Sequence, residues 1–186
     1  MRVFLALPLP DETVRGLEEG LAELGRRYRE LKVARPQGLH ITLIFLGERG
    51  EQEVQALRAL LQDPSLAVPP IRASLGGYGQ FPPQGIPRVL YCPLIDGAAE
   101  VKALQRSLAE LLRRGQVSFE EEKRAFSPHL TLARNSRNME ARPEAQRVRE
   151  LLGAERRFIF DRLVLFQSLL KREGAEYRPL QTVLFG

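Results

Sequence analysis

The chain contains two histidines, and they stand in matching surroundings. His40 opens His40-Ile41-Thr42-Leu43 within LHITLIFLG, and His129 opens His129-Leu130-Thr131-Leu132 within FSPHLTLAR. A single histidine on a strand is most often structural. Two at equivalent places, each with a threonine two residues on, point to shared chemistry. Zinc would need three or four ligands, and neither histidine has Asp, Glu or Cys at ligand spacing. A catalytic serine would need a base oriented by a carboxylate, which neither Ser127 nor Ser168 has in its sequence setting. Two facing imidazoles suit general acid–base catalysis, because the unperturbed pKa of histidine lets both protonation states exist near neutral pH. In-line displacement at phosphorus uses such a pair, with an acid and a base on opposite sides. The Thr42 and Thr131 hydroxyls can donate to the non-bridging oxygens between them. Arg134, five residues after His129, could add a fork to the phosphate. Strict alternation puts Arg134 on the face opposite His129, so the expectation is that it lies past the strand end or after a bulge. Which histidine is acid and which is base is left open by these residues.

The elements that position the pair can be read from periodicity. Val3–Leu7 is apolar on both faces and reads as a buried strand. Asp11 is placed to cap a helix whose stripe is Val14, Leu17, Leu21, Leu24, Tyr28 and Leu31. Pro36 and Gly38 favour a turn. Leu39–Leu46 reads as a strand ended by Gly47, with His40 and Thr42 on one face and Ile41 and Leu43 on the core face. A helix over Glu51–Gln62 and a strand around Ile71–Leu75 follow. Gly76-Gly77-Tyr78-Gly79 and Phe81-Pro82-Pro83 read as a loop that lacks the lysine and helix of a phosphate-cradling loop. Arg88–Leu94 is a strand, and Val101, Leu104, Leu108, Leu111 and Leu112 form the stripe of a third helix. A charged loop over Glu120–Arg124 precedes the second histidine strand. Pro143 opens a short helix through Leu152, and Phe158–Ser168 and Tyr177–Phe185 close the chain as two strands around Gly174.

The order strand, helix, histidine strand, helix, strand occurs twice. RVFLALP and RVLYCPL start at Arg2 and Arg88, 86 residues apart, and the histidines stand 89 apart. A near-constant offset between unrelated landmarks indicates an internal repeat, approximately 1–79 and 86–186, within one domain over 1–186. Strands mixed with helices, without a nucleotide-binding glycine signature, give α+β: two pseudo-symmetric lobes with antiparallel sheets around a central cleft and helices outside. At 186 residues, 44% apolar and 27% charged, the composition is that of a soluble globular protein. A single cysteine, Cys92, excludes an internal disulfide and reads as a small core residue, which fits a cytoplasmic location. No apolar run is long enough for a membrane span. The net charge of +5 and pI near 9.8 suit a polyanionic partner such as RNA. A monomer is expected.

With these residues in view, the chain resembles the 2H phosphoesterase superfamily, named for two HxTx motifs. It is more closely similar to bacterial RNA 2′,3′-cyclic phosphodiesterases, which are often labelled 2′-5′ RNA ligases. RVFLALPLP, PQGLHITLIFLGE, GGYGQFPPQGIPRVLY, FSPHLTLAR and LVLFQSLLKREGAEYRPL carry the resemblance. It implies metal-independent hydrolysis of a 2′,3′-cyclic phosphate end to a 2′-phosphomonoester, with no cofactor. It further implies that His40 is the proton donor to the departing O3′ and His129 the proton acceptor from water. Thr42, Thr131 and Arg134 are the implied phosphate contacts. Phe45, Tyr78, Phe81 and Tyr177 are candidates to hold base and ribose. Alternatives are 2′-5′ ligation of cyclic-phosphate and 5′-hydroxyl RNA ends, and an RNA-binding module without turnover. The last has neither an aromatic RNA-recognition signature nor a long basic run behind it.

Overall fold

The computed structural model describes residues 1–120, 125–135, 143–153, 155–171 and 174–186. Strand β1 (Arg2–Pro8) leads into helix α1 (Asp11–Arg27), short strand β2 (Lys32–Val33) and the first histidine strand, β3 (His40–Glu48). Helix α2 (Glu51–Leu60), β4 (Ile71–Leu75), β5 (Gly79–Phe81) and β6 (Val89–Pro93) follow. Helix α3 (Ala98–Arg114) leads to the second histidine strand, β7 (His129–Arg134), and then come α4 (Ala145–Leu152), β8 (Arg156–Phe160), β9 (Arg162–Lys171) and β10 (Gly174–Leu184). The fold is α+β with antiparallel sheets. One sheet runs in the order β10-β9-β1-β3-β7-β6-β5, with β2 on the far part of β7, and β4 pairs with β8 in a separate two-stranded sheet.

The two halves thus share one continuous sheet. β3 meets β7 at one register pair, Ile41 opposite Leu130. On each side of that seam a histidine strand is flanked by an RV strand. Pro8 lies opposite His40, and Pro93 lies opposite His129. Both histidine strands are bulged at the third residue after the histidine. The register passes from Ala6–Thr42 to Leu5–Ile44, skipping Leu43, and from Tyr91–Thr131 to Leu90–Ala133, skipping Leu132. A bulge reverses the alternation beyond it. Leu43 and Ile44 are accordingly both buried, as are Leu132 and Ala133. Phe45 and Arg134 then emerge on the face that carries the histidines.

Behind that face lies one core. Leu5, Leu7, Ile41, Leu130 and Leu132 from the sheet join the helical stripes Leu17, Leu21 and Leu24, Val54 and Leu57, and Val101, Leu104, Leu108 and Leu112. Each such side chain, fully buried, stabilises the fold by about 1.5–3 kcal/mol. α1 crosses α4 closely at Gly20, where a Cβ would stand 2.1 Å from the Leu151 carbonyl oxygen. Cys92 is a buried core thiol, its pKa pushed up to about 12 by burial.

Several sequence expectations shift. Asp11 does not cap α1; Pro10 occupies the cap position, and Asp11 sits in the first turn, where its charge still opposes the helix dipole. α1 stops at Arg27, so Tyr28 and Leu31 reach the core from the turn beyond it. Gly47 lies within β3 at φ 75 and does not end it. The glycine-rich stretch contains the short strand β5. Phe158–Ser168 is two strands broken at Asp161, and they belong to different sheets. The charged segment over Glu121–Arg124 lies outside the described residues. Among the described residues, no helix is long and apolar enough to cross a membrane.

Candidate active site

The histidine face of the seam opens onto a cleft of about 1050 Å³ whose lining includes His40, Thr42, Phe45, Thr131 and Arg134. Antiparallel pairing at Ile41–Leu130 sets the neighbours. One step along the register, Thr42 stands beside His129 and His40 beside Thr131. The two HxTx motifs are therefore interleaved, and each histidine has the other motif's threonine next to it.

Each imidazole is oriented by the same device. His40 Nδ1 lies 2.6 Å from the carbonyl oxygen of Gly38, and His129 Nδ1 lies 2.8 Å from that of Ser127, in both cases two residues upstream. A carbonyl can only accept, so Nδ1 carries the proton and donates it, and Nε2 becomes the working nitrogen. At His40, Nε2 is 3.1 Å from Thr42 Oγ1, so the threonine hydroxyl donates to it.

Aromatic rings fix both histidines. His40 meets the edge of Tyr177 at 4.9 Å between centroids, and Phe4 at 5.0 Å, with Phe166 beyond at 6.2 Å. His129 packs on Tyr91 at 5.0 Å and on Phe81 at 5.4 Å, and those two rings stack at 4.5 Å. Glycines make room for two of these rings. A Cβ on Gly38 would stand 2.9 Å from the Tyr177 ring, and one on Gly79 would stand 2.2 Å from Tyr91. Burial lowers the pKa of His40 to about 4; the Gly38 hydrogen bond opposes the shift, and the Arg134 and His129 charges add to it.

His40, Thr42, Thr131 and Arg134 thus line one cleft, with His129 beside Thr42 at the seam. The bulge at Leu132 brings Arg134 to that face. Among the aromatic candidates, Phe45 is half exposed in the cleft. Tyr177 and Phe81 back the histidines, and Tyr78 packs against the core with its hydroxyl donating to Gln80. Sequence reasoning missed Phe4, Phe166 and Tyr91 as supports. The apolar character of both faces of Val3–Leu7 was the available signal for Phe4. It also missed β2, two residues long, which brings Lys32 opposite Arg134.

Residues 10–172 match the family described as the 2′-5′ RNA ligase superfamily. A protein of Thermus thermophilus named RNA 2′,3′-cyclic phosphodiesterase is 35% identical over 184 residues, covering 97% of this chain and 88% of that one. One of the same name from Archaeoglobus fulgidus is 33% identical over 137 residues, 74% of each chain. Among solved structures, a crystal structure from T. thermophilus superposes with a TM-score of 0.76 at 31% identity, over 100% of this chain and 98% of that one. E. coli LigT in complex with 3′-AMP gives a TM-score of 0.76 at 22% identity over 99% and 97%, a likeness of fold.

Proposed function

Because the chain belongs to the 2′-5′ RNA ligase superfamily, we propose that it is an RNA 2′,3′-cyclic phosphodiesterase, hydrolysing a 2′,3′-cyclic phosphate end to a 2′-phosphomonoester. The interleaving of the two HxTx motifs across Ile41–Leu130 carries this reading. It sets each histidine beside the other motif's threonine, next to a cleft wide enough for a nucleotide.

The cyclic phosphate sits between Thr42 and Thr131, which donate to its non-bridging oxygens, with Arg134 adding charge. His129 Nε2 takes a proton from water as the water oxygen attacks phosphorus. The P–O3′ bond breaks on the opposite side, and His40 Nε2–H protonates O3′. The product carries a 2′-phosphate and a 3′-hydroxyl. His40 must be charged to act as the acid, yet burial favours its neutral form. The phosphate anion supplies the opposite charge that raises its pKa on binding. Binding and acid activation are therefore coupled, and Thr42 is freed from Nε2 to face the phosphate. Phe45, at the β3 end of the cleft, offers a face on which the terminal base stacks.

Incubation with 2′,3′-cyclic nucleotides and cyclic-ended RNA tests the reading, with the phosphate position assigned by ³¹P NMR. A 2′-phosphate is expected, and EDTA leaves the rate unchanged. A 3′-phosphate product, or wild-type activity in His40→Ala or His129→Ala, refutes it. Adding 5′-hydroxyl RNA distinguishes the ligation reading, for which joined strands would outnumber hydrolysed ends.

A further inference from the structure

The two seam strands present different side chains toward the two ends of the cleft. β3 and β7 run antiparallel, so Phe45 lies toward one end and Arg134 toward the other, with the HxTx motifs between. β2 adds Lys32 directly opposite Arg134. Lys32 is exposed, lines the cleft, and has no described carboxylate in ion-pair range. A Cβ on Gly174 would stand 3.5 Å from the Lys32 ε-carbon and 3.6 Å from Arg35 Nε. Gly174 precedes Tyr177, whose ring touches His40, by three residues of β10. That is about 10 Å at strand rise. Lys32 thus lies beside Arg134 at the end of the cleft next to Gly174, about 10 Å of strand away from the backbone of the residue that backs His40.

Ribose geometry meets this difference between the ends. In a 2′,3′-cyclic phosphate the base leaves the ring from C1′ and the chain leaves from C4′, on either side of the C2′–C3′ edge. With phosphorus held at the central threonines, base and 5′-phosphate diverge along the cleft. The Phe45 face takes the base, and the Arg134–Lys32 end receives the phosphate. We propose that Lys32, at the Arg134 end of the cleft, forms a subsite for the internucleotide phosphate 5′ to the terminal ribose, so that the site selects RNA strand ends over cyclic mononucleotides. This rests on the phosphodiesterase reading of the site.

Affinity tests it independently of turnover. Binding of the 2′-phosphorylated dinucleotide UpU-2′-phosphate and of uridine 2′-phosphate is measured by calorimetry at several salt concentrations. The wild-type protein is expected to prefer the dinucleotide, with a steeper salt dependence by about 0.7 in log–log slope, the increment for one single-strand phosphate. Lys32→Ala reduces dinucleotide affinity by about fivefold, removes the extra slope and leaves the mononucleotide unchanged, and Lys32→Arg restores the preference. Equal losses on both ligands, or none on the dinucleotide, overturn the subsite. Turnover of UpU and uridine 2′,3′-cyclic phosphates is scored separately, and its absence from both would refute the phosphodiesterase reading instead.

Discussion

Phe45 and Arg134 occupy equivalent positions, each five residues past an HxTx histidine and two past a bulged leucine, Leu43 or Leu132. The burial patterns of the two segments, His40–Phe45 and His129–Arg134, are identical residue for residue. The scaffold repeats, but the side chain at its variable place does not. One half presents an aromatic face and the other a cation.

This asymmetry makes Phe45 and Arg134 separable in kinetics. Phe45→Ala is expected to raise KM for cyclic nucleotides roughly 5- to 150-fold, the scale of one base–aromatic stack of about 1–3 kcal/mol. Its half-exposed position makes a large loss of melting temperature unexpected. Phe45→Tyr should retain near wild-type KM. Unchanged KM in Phe45→Ala would remove the base from that end of the cleft.

Arg134→Ala should reduce kcat/KM about 10²-fold, the scale of losing one preorganised donor to a transition-state oxygen. Arg134→Lys should recover only part of this, because an ammonium keeps the charge but not the fork. Full recovery with lysine would show that charge alone is used.

The roles of the histidines are distinguishable by leaving group. Each alanine variant is expected to lose about 10²- to 10⁴-fold on the ordinary cyclic phosphate. A substrate with sulfur in place of the bridging 3′ oxygen leaves as a thiolate and needs no acid. His40→Ala should recover on it and His129→Ala should not. The opposite pattern would exchange the two roles.

His40 also ties stability to pH. Burial holds its folded pKa at about 4, against the ordinary value of 6.5. Above pH 6.5 the ring is neutral in both folded and unfolded chains, and stability is undiminished. As pH falls from 6.5 to about 4, only the unfolded chain gains the proton. Stability is lost across that window, by about 3 kcal/mol, and levels off below it. His40→Phe, which keeps a ring among Phe4, Phe166 and Tyr177, should lose less stability than the wild type between those limits in urea melts. Parallel curves for the two proteins would show that His40 does not titrate this way.

The pairing of the two motifs, the inward faces of β3 and β7, and the helical stripes were all legible in the sequence. Each follows from a local period, about two for strands and 3.6 for helices, applied to apolar residues. The repeat offset was equally local information, since it compares the chain with itself. The sequence even posed the problem of Arg134, because strict alternation would have turned it into the core. Only the tertiary structure solved it. A bulge depends on how many residues of β6 face how many of β7, and that register is a property of the pair. The same holds for the interleaving of His40 with Thr131 and of Thr42 with His129, fixed by the single contact of Ile41 with Leu130. The split at Asp161 was hidden because both pieces are apolar, and their different sheets are chosen by partners, β4 and β1, far away in sequence. Lys32 was invisible for a related reason. Two residues have no period, and β2 is a strand only because β7 lies beside it.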